Sequence, residues 1–164
     1  MKELLKQISE KAIALGEYEF QESHVKDKWL GRNPASPNEI LLLEKRVGLE
    51  LPEDYKRFLT TCNGFSSPSD IEPTFESVDK IDFLRNINPH LIESYSFDEI
   101  FEIGEQLNSS ILVGGLNEEQ HFLLIPPSQM DSCWKYWKFA NWYPGEEEFE
   151  DLKSYFVNVL EFLT

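Results

Sequence analysis

Residues 52–64 read PEDYKRFLTTCNG, and the organisation of the chain is best read outward from this stretch. Its apolar residues recur three, four and seven positions after the first, which is the spacing of one helix face: Tyr55, Phe58, Leu59 and Cys62. Pro52 suits the first helical position, where its missing N–H needs no partner. Glu53 and Asp54 meet the positive end of the helix dipole. Gly64, after Asn63, can take the left-handed conformation that ends a helix. The stretch predicts a short helix that packs into a core.

A second helix is predicted immediately upstream, over SPNEILLLEKRVG at residues 36–48. Ser36 is a natural N-cap, Pro37 fits the first turn, and Glu39 completes a capping box. Gly48 ends the helix, and its buried stripe is Ile40, Leu43 and Val47. The two helices form a tight helix–turn–helix unit with few spare basic residues, so we do not expect it to read DNA.

The remaining segments predict helices around an antiparallel sheet. Residues 2–15 form an amphipathic helix with Leu4, Leu5, Ile8, Ala12 and Leu15 on one side. Residues 110–127, SILVGGLNEEQHFLLIPP, have the pattern of a hairpin, and residues 133–145 that of an aromatic strand. The last segment predicts a helix with the stripe Phe149, Leu152, Phe156, Val159, Leu160 and Leu163. The fold class is therefore α+β, in a single domain over 1–164.

Composition narrows the class of protein. The chain has 164 residues, 41% of them hydrophobic, and no apolar run long enough for a membrane span. Charges interrupt the N-terminal apolar positions, so no signal peptide is expected. Cys62 and Cys133 lie far apart and predict free thiols and a cytoplasmic location.

The net charge of −15 is unevenly placed. Residues 70–106 carry ten acids and two bases, and residues 144–164 carry six acids and one base. Direct nucleic-acid binding is not expected, since phosphate contacts need clustered Lys and Arg. A basic protein partner would be attracted, although acidity that only maintains solubility remains an alternative.

Catalytic patterns are missing from the sequence. There is no Gly-rich phosphate loop and no serine elbow, and His24, His90 and His121 lack metal-ligand spacing. We expect no enzyme activity, no metal and no cofactor.

Two features suggest a partner-binding surface. The first is the aromatic strand, where Trp137 and Phe139 are expected in the core and the other face is expected to be partly open. The second is the acids, although an acidic first helical turn on a solvated surface is the alternative at 146–151. The candidate partner-binding residues are Trp134, Tyr136, Trp142, Glu146, Glu147, Glu148, Glu150, Asp151, Asp70, Glu72, Glu76, Asp79 and Asp82.

The run from residue 29 to residue 65 resembles the signature of the SUKH superfamily, the Smi/Knr-like proteins. The ordered combination carries the resemblance, and its scaffold positions are Trp29, Gly31, Pro34, Ala35, Ser36, Ile40, Glu44, Gly48, Leu51, Pro52, Tyr55, Phe58, Leu59, Asn63 and Gly64. The aromatic strand and the last helix are similar to the second half of the family. Residues 66–108 show no matching motif.

The resemblance implies an antiparallel sheet wrapped by helices, without catalysis. Many bacterial members are immunity proteins, so the expected function is stoichiometric neutralisation of a cognate polymorphic toxin, with a basic nuclease domain as the expected partner. The alternative is a general adaptor or regulatory module related to regulators of cell-wall synthesis. Toxin identity and oligomeric state are left open.

Overall fold

A computed structural model describes residues 1–95, 101–129, 132–140 and 146–164. The helices are α1 Lys2–Leu15, α2 Glu22–Asp27, α3 Pro37–Val47, α4 Glu53–Thr61, α5 Leu84–Ile87, α6 Pro89–Ser94, α7 Phe101–Ser109 and α8 Leu152–Phe162. The strands are β1 Asp82–Phe83, β2 Ile111–Gly114, β3 Gln120–Ile125, β4 Lys135–Ala140 and β5 Glu146–Phe149. All neighbouring strands are antiparallel, in the order β1-β2-β3-β4-β5. The predicted α+β class is confirmed.

Helices α3 and α4 form as their sequences predict. The Ser36 hydroxyl accepts from the Glu39 N–H at 3.3 Å and the Glu39 carboxylate accepts from the Ser36 N–H at 2.8 Å, which completes the capping box. The expected stripes of both helices are buried. One boundary differs: Pro52 is the N-cap, and α4 ends at Thr61.

Gly64 has a different role from the predicted helix end. Its φ is +101°, but it lies beyond the end of α4. A Cβ at this position would lie 2.9 Å from the carbonyl oxygen of Phe75. Glycine is needed here because Phe65 and Phe75 pair as an antiparallel bridge directly beside it.

Several residues that carry the family resemblance make close contacts in the scaffold. A Cβ at Gly31 would lie 2.5 Å from the Trp29 ring. The Asn63 side-chain oxygen accepts from the Val78 N–H at 2.9 Å, and the Glu44 carboxylate accepts from the Leu51 N–H at 2.9 Å. The signature thus joins α3, α4 and the chain that follows them.

The sheet is covered on both faces. The row Ile111–Leu124–Tyr136–Phe149 faces the larger hydrophobic cluster, which includes α1, α3, α4 and α8. The next row, Leu112–Leu123–Trp137–Glu148, faces a smaller cluster built with α5, α6 and α7. Paired residues share a face, and successive rows alternate between faces. The strands are therefore sandwiched between two helical layers.

The prediction for the aromatic strand is partly wrong. Trp137 and Phe139 are buried as expected, but Tyr136 is only 5% exposed. Its hydroxyl donates to an Asp54 carboxylate oxygen at 2.6 Å, because α4 and α8 cover this face. Trp134 is half-buried against the larger cluster, and Trp142 lies outside the described residues.

The acidic segment Glu146–Phe149 is an edge strand, so its assignment to the terminal helix is wrong. Phe149 pairs with Tyr136, and α8 begins only at Leu152. Asp151 starts this helix by accepting from the Ser154 N–H at 2.7 Å. Within α8, the buried stripe includes Tyr155, which the sequence analysis did not place there.

Helix α1 lies against α8 and contributes Leu5, Ile8 and Ala12 to the larger cluster. Lys11 Nζ donates to Thr164 Oγ1 at 2.7 Å and ties the two helix ends together. Leu15 differs from the expectation. It is 48% exposed because the helix ends there and Gly16 turns the chain with a φ of +66°.

Candidate partner-binding surface

Two adjoining grooves lie on the surface near the end of α1. The first groove, about 320 Å³, lies between the end of α1, residues 68–70 and the end of α8. The second groove, about 580 Å³, lies between residues 67–72 and the β2–β3 turn at residues 117–120. Tyr18, Ser69 and Asp70 line both grooves, so the two form one continuous concave surface.

Among the residues that the structure describes, every charged residue that lines the grooves is an acid. Glu17 and Asp70 line the first groove, and Asp70, Glu72, Glu118 and Glu119 line the second. Glu118 and Glu119 were not predicted as site residues, because residues 107–143 carry almost no net charge. Their position on the turn of the predicted hairpin was the available signal. The turn places them opposite Asp70.

The β2–β3 turn is held in a fixed shape. Gly115 has a φ of +79°, and a Cβ there would lie 1.8 Å from the Gln120 carbonyl oxygen. The Glu118 N–H donates to the Gly115 carbonyl at 3.0 Å. The Glu118 carboxylate accepts from the Thr74 N–H at 2.9 Å, which joins the turn to the segment opposite.

The opposite wall, residues 67–72, closes on the Ser67 hydroxyl. This hydroxyl donates to the Glu72 carbonyl at 2.6 Å and also contacts the Ser69 carbonyl. The Ser69 N–H donates back to it at 3.3 Å. Both walls of the second groove are thus organised before any partner binds.

Glu72 lies at the base of the second groove and is buried. Its carboxylate accepts from Lys138 Nζ at 2.6 Å and from the Tyr155 hydroxyl at 2.7 Å. Burial, followed by the negative charge of Glu72, raises the pKa of Tyr155. Because Lys138 already balances the Glu72 charge, Glu72 shapes the groove but does not offer a free carboxylate.

Glu76 is also buried, with Lys80 Nζ 3.4 Å from its carboxylate. Glu72 and Glu76 are therefore both buried and paired with lysines of this chain, and their contact with a partner stays a prediction. Asp79 is exposed, and the Ser77 hydroxyl is the largest cause of its lowered pKa.

The predicted acids are spread over several elements of the fold. Asp82 on β1 and Glu148 on β5 end the same cross-sheet row at opposite edges. Four interstrand spacings separate them, roughly 19 Å. Glu148 accepts from Trp137 Nε1 at 2.8 Å, and Asp82 accepts from Asn86 Nδ2 at 3.0 Å. Only Asp70 and Glu72, among the predicted candidates, line the grooves.

The end of the chain supplies the remaining candidates. Glu147, Glu148 and Glu150 are exposed, while Glu146 is half-buried. Asp151 caps α8, and the Ser154 hydroxyl is the largest cause of its lowered pKa. Contact of these residues with a partner stays a prediction.

Outside the grooves, the Cys62 thiol and the His121 imidazole are buried. Burial raises the pKa of Cys62 to about 12 and lowers that of His121, whose Nδ1 lies 2.9 Å from the Gly115 carbonyl oxygen. Within the described ranges, His, Cys, Asp and Glu nowhere gather in threes as metal ligands would. No helix there is both long and apolar enough to cross a bilayer. The absence of catalysis stays a prediction.

The sheet lies between two helical layers, and the acidic concave surface lies beside it. The domain therefore presents an open face on which a partner can bind. The chain matches the model of the SMI1 / KNR4 family (SUKH-1) over residues 34–164 and therefore belongs to this family. Trp29 and Gly31, read above as part of the signature, precede the matched range, as do α1 and α2. No curated protein matches the chain.

Proposed function

We propose that this chain is a non-catalytic immunity protein that neutralises a cognate bacterial toxin by stoichiometric binding. The observation that carries the proposal is the continuous concave surface whose charged lining residues, among those described, are all acidic. Membership of the SMI1 / KNR4 family (SUKH-1) supports it.

Charge complementarity gives the physical reason. A nuclease toxin must be basic where it holds phosphate, so an acidic protein is steered toward that surface and can cover it. Exposed apolar side chains beside the acids supply the area that must be removed from water for tight binding. Phe162 is 62% exposed and Tyr18 is 41% exposed at the first groove.

The test uses the enzymatic domain of a toxin encoded beside this chain. Equimolar addition should abolish nuclease activity, and association should slow as salt rises. Binding without inhibition would favour the adaptor function over the immunity function. Absence of binding would reject the proposal.

A matched pair of variants locates the surface. The groove variant is Asp70→Asn, Glu118→Gln and Glu119→Gln. The control removes the same charge from the helices on the opposite side of the sheet: Glu93→Gln, Glu102→Gln and Glu105→Gln. We expect slower association and a flatter salt dependence for the groove variant only. Equal losses in both would mean that net charge, and not this surface, attracts the partner.

A further inference from the structure

We propose that the two grooves act as one bipartite docking site for a cationic amphipathic segment of the partner. The segment places an apolar side chain in the first groove and Lys or Arg side chains in the second. The proposal deepens the proposed function and rests on it for the identity of the partner as a toxin.

The apolar half of the site is built by two helix ends. Leu15 and Phe162 are 48% and 62% exposed, and Tyr18 completes the wall. The contact between Lys11 and Thr164 holds the two helix ends together. Large apolar side chains that converge on one concavity are typical of places where a partner is bound.

The acidic half selects the charge of the occupant. Asp70, Glu118 and Glu119 are exposed around the second groove, and Ile71 is an exposed apolar residue beside them. Lys138 neutralises Glu72 below, so the excess negative charge belongs to the rim. Ammonium and guanidinium groups form short, charge-assisted hydrogen bonds with such carboxylates.

Shared residues join the two halves. Tyr18, Ser69 and Asp70 line both grooves, so an apolar and a cationic side chain from one short segment can enter together. A helix presents such side chains three or four positions apart on one face. A single amphipathic segment therefore fits the site better than two separate ligands.

The N-terminal segment also contributes to the wall of the first groove. Leu15, Glu17 and Tyr18 precede the family-matched range, whereas the other walls lie within it. We expect these residues to contribute to the choice of partner, since they add a surface that the matched domain does not supply.

The probe is a peptide of about 14 residues, roughly four helical turns, in which Lys residues lie three or four positions from Leu residues so that both kinds of side chain share one helix face. It is titrated into the ¹⁵N-labelled chain, beside a Lys and Ser peptide of equal charge and a Leu and Glu peptide of opposite charge. Amide shifts should be confined to residues 12–18, 67–72, 117–120 and 160–164. The Lys and Ser peptide should bind about tenfold more weakly, and the Leu and Glu peptide should not bind. Shifts spread over α6, α7 and β5, equal affinity for the Lys and Ser peptide, or no binding would overturn the proposal.

Variants separate the two halves. Leu15→Ser with Phe162→Ser should weaken the Leu and Lys peptide about tenfold, while the similarly exposed pair Leu41→Ser with Leu42→Ser should leave its affinity unchanged. Asp70→Asn with Glu118→Gln should weaken binding most at low salt. An equal loss in the Leu41 and Leu42 control would reject the first groove as the apolar site.

Failure of this proposal can be told from failure of the proposed function. Toxin inhibition without peptide binding in the grooves would support the immunity function and reject the docking site. Peptide binding that requires both grooves, without toxin inhibition, would support the docking site and reject a toxin as the partner.

Discussion

The signature region, residues 29–65, and the acidic region, residues 70–82, each combine local contacts with contacts that are distant in sequence. In the signature region the Ser36–Glu39 capping box joins near neighbours, whereas the Asp54 carboxylate accepts from the Tyr136 hydroxyl and the Leu152 N–H, 82 and 98 residues further along the chain. In the acidic region, the partners of Glu72 are also distant in sequence. Lys138 lies 66 residues further along the chain, and Tyr155 lies 83 residues further along. The start of α3 can organise locally, while the contacts of Asp54 and Glu72 form only when β4 and α8 are in place.

The largest expected effect breaks the core of the signature region. Phe58 is fully buried and its ring lies 5.2 to 5.8 Å from those of Tyr55, Phe75 and Phe156. Phe58→Ala should lower the free energy of unfolding by about 3–5 kcal/mol, measured in urea. Leu42→Ala, on the exposed side of α3, is the control and should cost far less. Similar midpoints for both variants would contradict the packing of α4.

The next effect breaks the long-range contact of the acidic region. Glu72→Ala leaves the Lys138 ammonium without its carboxylate and should destabilise the protein by about 3 kcal/mol. Glu72→Met with Lys138→Met removes both charges and should recover most of that loss in the same urea titration. If the double variant were no more stable than the single one, burial of an unpaired charge would not be the cause.

A smaller effect tests the local contacts of the signature region. Ser36→Ala removes the N-cap of α3 and should cost about 1 kcal/mol in thermal unfolding. Ser36→Asp keeps an acceptor at the same position and should remain close to the wild type. Equal destabilisation by both would show that α3 does not depend on this cap.

The smallest effect contrasts two buried tyrosines. Among the described residues, the Tyr55 hydroxyl finds no hydrogen-bond partner, whereas that of Tyr155 donates to Glu72. Tyr55→Phe should therefore leave stability unchanged or raise it by up to about 1 kcal/mol, and Tyr155→Phe should lower it. Calorimetry of the two variants decides the sign. A clear loss for Tyr55→Phe would reveal a partner for its hydroxyl.

Local spacing was enough to predict α1, α3 and α4, both ends of α3, and the hairpin. The Ser36 cap, the Gly48 terminus and the buried faces of α3 and α4 depend on residues three or four positions apart, which the sequence displays directly. The strand β5 could not be predicted in this way. Glu is unfavourable in strands, and only pairing with β4 gives residues 146–149 their extended form.

The candidate surface was harder to predict than the fold. Charge counting identified Asp70 but did not distinguish it from Glu76, whose partner Lys80 satisfies it internally. Glu118 and Glu119 were missed because neutral neighbours conceal them in any segment total. Leu15 continued the helical stripe of α1, and only the end of the helix places it in the groove. Whether a residue is exposed depends on how the layers pack together, and the periodicity of the sequence does not show that packing.

Strand β5 also bears on how the protein behaves at high concentration. Within the described residues it pairs only with β4, so its outer edge resembles an open template for another strand. Consecutive glutamates at positions 146–148 deter such pairing between molecules, as charges on edge strands commonly do. As the solution approaches the sequence pI of about 4.5, mutual repulsion between molecules disappears. We therefore expect clouding to begin near that pH while the core is still folded, with β5 as the site of first contact.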